Sequence, residues 1–156
     1  MANGICVYAE SYNGELETVA AELVSAAKGL AETTKEKVQA IVLSDHAEEL
    51  VKELDKLGVD EIYAVKADHD ITLQDDAVSA AMLKKIEPSA VLVPATPQGR
   101  SIFSRVAMRL GCGMTADCTE VLAAQREDGS FYIKQNKPSY GENVFVTILT
   151  KEGIYP

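Results

Sequence analysis

The chain has no tryptophan, only six tyrosines and three phenylalanines, and three cysteines. It also has no apolar run approaching the about 18 residues that a membrane-spanning helix needs. So few aromatic residues leave little for a platform on which bases could stack. Lysine and arginine total 15 against 24 aspartates and glutamates, a formal net charge of −9. A nucleic-acid binder needs clustered cations against phosphate, and this balance argues against one. The N-terminus, Met1-Ala2-Asn3-Gly4, lacks both a basic stretch and a long apolar segment, so no secretory leader is expected. With Cys6, Cys112 and Cys118 odd in number, reduced thiols and a cytoplasmic location follow as expectations. Cys112 and Cys118 are separated by five residues without a second pair, which is neither zinc-finger nor Cys-x-x-Cys spacing. No metal is expected, and buried inert thiols are the better reading. The Asp68-His69-Asp70 triplet reads as a solvated acidic loop. The Walker pattern, the Gly-x-Gly-x-x-Gly fingerprint and a nucleophile elbow are all missing. An enzyme of adenylate chemistry would need a glycine-rich pyrophosphate loop, and none is found.

What remains is an ordinary globular composition, 47% hydrophobic and 25% charged over 156 residues. That length suits one domain, 1–156, which buries roughly 70% of the surface its unfolded chain exposes. The buried run Ile5-Cys6-Val7-Tyr8-Ala9 opens the chain, then a turn at Ser11-Tyr12-Asn13-Gly14. Leu16 to Leu30 follow at helical spacing. A second run spans 38–43, with Ser44 or Asp45 as cap for a helix ending at Gly58. A strand is expected at 61–65. Asp75-Asp76 precede a helix that turns Val78, Ala81, Met82 and Ile86 inward and stops at Pro88. A strand at 90–93 leads into a helix at 99–110, with Gly111 beyond it. Strand–helix alternation repeated in this way predicts a parallel sheet between two helical layers. The tail changes character: strands at 120–124, 131–135 and 143–149, the first two joined by a turn at 125–130, predict a small antiparallel extension. The fold class is therefore α/β, a three-layer parallel-sheet domain with a small C-terminal antiparallel extension.

The most informative segment is Pro94-Ala95-Thr96-Pro97-Gln98-Gly99-Arg100-Ser101. It joins a buried strand to a helix, at the end of a parallel sheet where ligands bind. A helix start offers free N–H groups and partial positive charge. Gly99 permits close backbone approach, Arg100 adds a cation, and Thr96 and Ser101 add hydroxyls. That combination suits a phosphate or another anion. It would serve equally as a plain capped strand–helix turn with Arg100 in solvent. The loop Glu10-Ser11-Tyr12-Asn13-Gly14 faces the same crevice if the first strand is central, and is otherwise a surface turn.

The string Pro94 to Ser101, then Arg105-Val106-Ala107, Arg109-Leu110-Gly111 and Thr115-Ala116-Asp117-Cys118-Thr119, resembles the N-terminal domain of electron transfer flavoprotein alpha subunits. Val7-Tyr8-Ala9-Glu10 and Tyr140-Gly141-Glu142-Asn143 fit the same family, in order along nearly the whole chain. Glu142 stands where the family often has Gly, and Met114 where Leu is frequent. The resemblance implies the nucleotide-binding (adenine nucleotide alpha hydrolase-like) α/β fold shared by both subunits. It implies a scaffold that pairs with an electron transfer flavoprotein beta subunit and supports FAD-mediated electron transfer between a dehydrogenase and an acceptor. The FAD would be held mostly by a C-terminal domain not found in this sequence. No catalytic residue is implied. On this reading Thr96, Gln98, Gly99, Arg100, Ser101, Thr115 and Asp117 are the candidate cofactor-binding residues. The alternative is a free-standing module for AMP or FAD, and the isolated domain is also a candidate for self-association.

Overall fold

The computed structural model of the chain describes residues 4–67, 75–139 and 144–149. Strand β1 (Ile5–Tyr8) is fully buried, every residue at 0% exposure. Its alternate side chains serve opposite faces of the sheet, which is why the run is continuously apolar. A small hairpin follows, β2 (Ser11–Tyr12) and β3 (Glu15–Leu16), turned by Asn13 and Gly14 at φ 49° and 80°. Helix α1 (Val19–Thr34) then runs back to β4 (Val38–Ser44), and α2 (Ala47–Lys56) leads to β5 (Glu61–Lys66). Helix α3 (Asp76–Ile86), β6 (Ala90–Leu92) and α4 (Pro97–Leu110) complete the α/β part. The strands lie in the order β5-β4-β1-β6, all parallel, with Ile5 opposite Val38 on one side and Ala90 on the other.

Two apolar cores sandwich this sheet. Ile5, Val7 and Ala9 pack with Val24, Ala27 and Leu30 of α1 and Leu50 and Leu54 of α2. Cys6 and Tyr8 face the other way, with Ala80 and Leu83 of α3 and Ile102, Phe103 and Val106 of α4. The three layers agree with the fold expected from the sequence. So does the tail, where β7 (Glu120–Gln125), β8 (Phe131–Pro138) and β9 (Phe145–Leu149) form an antiparallel sheet. Val121, Ala123 and Ile133 of that sheet pack against the α1 core.

Three details differ from the sequence reading. The inward face of α3 is Asp76, Ser79, Ala80 and Leu83, while Ala81 is exposed and Val78 is 40% exposed. The helix is rotated because Asp76 turns inward to meet Arg109 at 2.6 Å and Arg105 at 3.6 Å. A carboxylate with two guanidinium partners outweighs one more apolar contact at Val78. In α2, His46 holds the N-cap position without a side-chain bond, and Ser44 Oγ instead accepts from the His46 N–H at 3.1 Å. Helix α4 begins at Pro97, whose fixed φ and missing N–H suit a first turn, rather than at Gly99. Tyr140 to Asn143, Asp68 to Asp70 and the segment after Leu149 lie outside the described residues.

One polar knot stitches the open edge of the sheet at β5. Glu61 accepts from Lys37 at 2.5 Å, Gln39 at 3.0 Å and Tyr63 at 2.9 Å. These donors, Lys37 first, pull its carboxyl down to about 2. A carboxyl that is more acidic folded than unfolded contributes stability above its unfolded value, and that stability disappears as protons are forced on. Its contribution is therefore complete above about pH 5 and lost as pH falls from there toward 2. Acid titrations followed by circular dichroism should show Glu61→Gln less sensitive than wild type over that window.

Candidate functional site

In this strand order the chain leaves β1 toward β4 on one side and returns to β6 on the other. The switch point, where α/β sheets hold ligands beyond their carboxyl ends, lies between β1 and β6. Both loops singled out in the sequence meet there. Thr96 is the N-cap of α4 in extended conformation, and its Oγ1 accepts from the Gly99 N–H at 2.9 Å. The Thr96 hydroxyl donates to Glu10 Oε2 at 2.7 Å, closing the crevice between the two strands. Glu10 is only 5% exposed. Gly99 is buried so tightly that a Cβ there would lie 2.2 Å from the Pro94 carbonyl oxygen. Its role is close packing of α4 against the end of β6.

Arg100 reaches sideways. Its Nε donates to the Ala95 carbonyl at 3.1 Å and its Nη2 pairs with Asp117 Oδ1 at 2.6 Å. Asp117 adopts a left-handed conformation, φ 60°, which Asp tolerates better than most residues. The pair is half exposed on both sides, so its worth is small. Arg100→Ala should change stability by less than about 1 kcal/mol in thermal denaturation. Ser101 is engaged by Arg105, which donates to its carbonyl at 2.8 Å and to its Oγ at 3.1 Å. Gln98 is half-buried near the start of α4.

A groove of about 890 Å³ runs along the outer edge of β6, walled by α1, α4, the 112–119 segment and the β7–β9 sheet. Arg100, Thr115 and Asp117 line it, whereas Thr96 and Gly99 sit at the crevice and Gln98 and Ser101 lie in the first turns of α4. The structure thus divides the seven sequence candidates between two neighbouring places, with Arg100 and Asp117 paired in the groove. Sequence reasoning marked the Glu10 loop but missed the Glu10 carboxylate as the group at the switch point. Its signal was an acid immediately after a buried strand. It also missed Asp76 with Arg105 and Arg109, which are spread over two helices.

Cys6 is buried as expected, whereas Cys112 and Cys118 are only half-buried. Burial pushes Cys6 up to about 12 and also raises Cys112 and Cys118. Each of the latter two points its Sγ at a backbone carbonyl, of Ala107 and Thr115 respectively. Tyr8 is raised too, by burial first and then by the negative charges of Glu10 and Asp75. Among the described residues no helix is long and apolar enough to cross a membrane.

The family model for the electron transfer flavoprotein domain matches residues 5–155. The chain belongs to this family. It is 33% identical over 147 residues to an electron transfer flavoprotein subunit alpha from Thermoanaerobacterium thermosaccharolyticum, covering 92% of this chain and 43% of that protein. It is 32% identical over 151 residues to lactate dehydrogenase (NAD(+),ferredoxin) subunit LctC from Acetobacterium woodii, covering 95% of this chain and 35% of that one. An acryloyl-CoA reductase electron transfer subunit beta from Anaerotignum propionicum is 32% identical over 120 residues, covering 75% of this chain and 33% of the relative. The chain therefore spans less than half the length of these relatives. The resemblance read from Pro94 to Thr119 and the family match agree, and they make the chain a member of an electron-transport flavoprotein family of alpha-subunit type.

Proposed function

We propose that this chain is the N-terminal domain of an electron transfer flavoprotein alpha subunit. In that role it is a scaffold that pairs with a beta-type subunit and supports FAD-mediated electron transfer between a dehydrogenase and an acceptor in the cytoplasm. The observation that carries this reading is the family match from residue 5 to residue 155, with its most specific residues clustered at the β6–α4 junction. Relatives named as an electron transfer flavoprotein subunit alpha, a lactate dehydrogenase (NAD(+),ferredoxin) subunit and an acryloyl-CoA reductase electron transfer subunit support the same reading. A bound flavin would accept electrons and pass them on. This chain's own residues hold the scaffold in shape.

The residues present do not suit the phosphate groups of such a cofactor at the switch point, because a buried carboxylate, Glu10, already stands there. Arg100, Thr115 and Asp117, which face the groove, are the better placed of the candidates to meet a partner or the edge of a cofactor held elsewhere. The antiparallel sheet offers a surface for the subunit partner. Leu122 and Leu149 lie on its outer face in one register with Lys134, and Phe145 is 67% exposed. Phe145 stands between Val144 and Val146, which are exposed too, and adjoining apolar side chains of this kind mark interaction surfaces.

The test is to mix the purified chain with a beta-type electron transfer flavoprotein subunit and with FAD, separately and together, followed by size-exclusion chromatography with light scattering. The expected result is co-elution with the beta subunit and no flavin retained by the chain alone. A chain that stays monomeric beside the beta subunit, or that holds one FAD by itself, overturns the scaffold reading.

A further inference from the structure

The switch point is where a parallel sheet places its ligand, and an anion there is normally held by the N-terminus of the next helix. In this chain the first turn of α4 is capped by Thr96, the residue that Glu10 holds. Pro97 has no N–H, the Gly99 N–H donates to Thr96 Oγ1 at 2.9 Å, and the Arg100 N–H donates to Thr96 O at 3.0 Å. Gln98 has a partner of its own. The Arg100 guanidinium is held by Asp117 and by the Ala95 carbonyl. In the place of the anion stands Glu10, buried, accepting the Thr96 hydroxyl proton at 2.7 Å. A negative group beside the first turn of α4 is what the helix dipole favours. The protein therefore supplies its own anion.

We propose that Glu10 sets what this crevice accepts: its carboxylate takes the position of a ligand phosphate, ties β1 to α4 through Thr96, and excludes phosphate-bearing ligands from the switch point. Neither AMP nor the pyrophosphate of a dinucleotide then binds between β1 and β6, although the fold is one that usually holds them there. The surroundings agree. The Tyr8 hydroxyl, buried and without a hydrogen-bond partner among the described residues, lies within the negative field of Glu10 and Asp75. A second negative group entering beside Thr96 meets the Glu10 carboxylate, which is only 5% exposed, and burial of this kind strengthens Coulomb repulsion. This inference concerns nucleotide exclusion by one residue. It stands or falls apart from the subunit-pairing reading, which is measured by co-elution.

The experiment is a titration of the chain, with amide NMR shifts as the readout, using AMP and, separately, inorganic phosphate. Wild type should show no saturable shift at Gly99 or Arg100. Glu10→Gln keeps the shape and an oxygen that accepts from Thr96, but removes the charge. It should show saturable shifts at those amides with both probes, at least about tenfold tighter than any wild-type response. Glu10→Ala serves as the second variant, and Glu10→Asp should remain silent because it retains the charge. Saturable wild-type binding at Gly99 and Arg100 overturns the proposal. So does silence in both Glu10→Gln and Glu10→Ala when their amide spectra are dispersed as in a folded protein. A variant that answers AMP but not phosphate also overturns it, because the charge of Glu10 would then not be what excludes the ligand.

Discussion

Gly99→Ala is expected to lower the melting temperature by about 4–8 °C, equivalent to about 2 kcal/mol in a chain of this size. Gly99 lies in the first turn of α4, and an alanine in a helix is ordinarily better than glycine by up to about 1 kcal/mol. Here that gain is reversed. The added Cβ would stand 2.2 Å from the Pro94 carbonyl oxygen, a backbone atom at the end of β6 that has no side-chain freedom with which to move aside. Relieving it means lifting α4 away from the sheet, at the cost typical of overpacked sites, about 1–3 kcal/mol or more before the helix gain is subtracted. Gly29 supplies the control. It sits exposed within α1 with nothing within 4 Å of a built Cβ, so Gly29→Ala should stabilise by about 0.5–1 kcal/mol. Thermal denaturation of the two variants side by side should give opposite signs. If both stabilise, the close approach of α4 to β6 is not as tight as described.

The same glycine shows how far the sequence could be read. A glycine after a buried strand and a proline announces a capped strand–helix junction, with Thr96 emerging as its N-cap only once the helix starts at Pro97 rather than Gly99. The junction was legible because it depends on neighbours in the chain. The layers were legible for a similar reason: Ile5 to Ala9, and Val38 to Leu43 apart from Gln39, are apolar, a pattern that burial on both sheet faces explains. What could not be read depends on residues far apart. That Thr96 meets Glu10, 86 positions away, follows only once β1 and β6 are neighbours. The rotation of α3 is set by Arg105 and Arg109 on another helix, so apolar periodicity pointed to Val78 and Ala81 instead of Ser79 and Ala80. Arg100 looked like a free cation because Asp117 reaches it from beyond the end of α4.

Thr96→Ala should prove at least as damaging as Gly99→Ala, at about 2–4 kcal/mol, and for a reason that tests the crevice itself. Loss of an N-cap alone costs about 1 kcal/mol, because the Gly99 N–H returns to being an unpaired first-turn donor. The second part comes from Glu10. Its carboxylate is 5% exposed and takes a hydrogen bond from Thr96, and removing that donor leaves a buried acceptor short of a partner, at about 1–3 kcal/mol. Thr96→Ser keeps the hydroxyl and should recover most of the loss, whereas Thr96→Val keeps the shape and should not. The two parts separate in a double-mutant cycle with Glu10→Ala, measured by denaturant unfolding. Contacts this close should couple by more than about 0.5 kcal/mol. Additive losses would mean that Glu10 finds water when Thr96 is gone, and the switch point would then be an open crevice. Strong coupling would mean a closed one, in which the acid and the hydroxyl act as a single clasp between the first strand and the fourth helix.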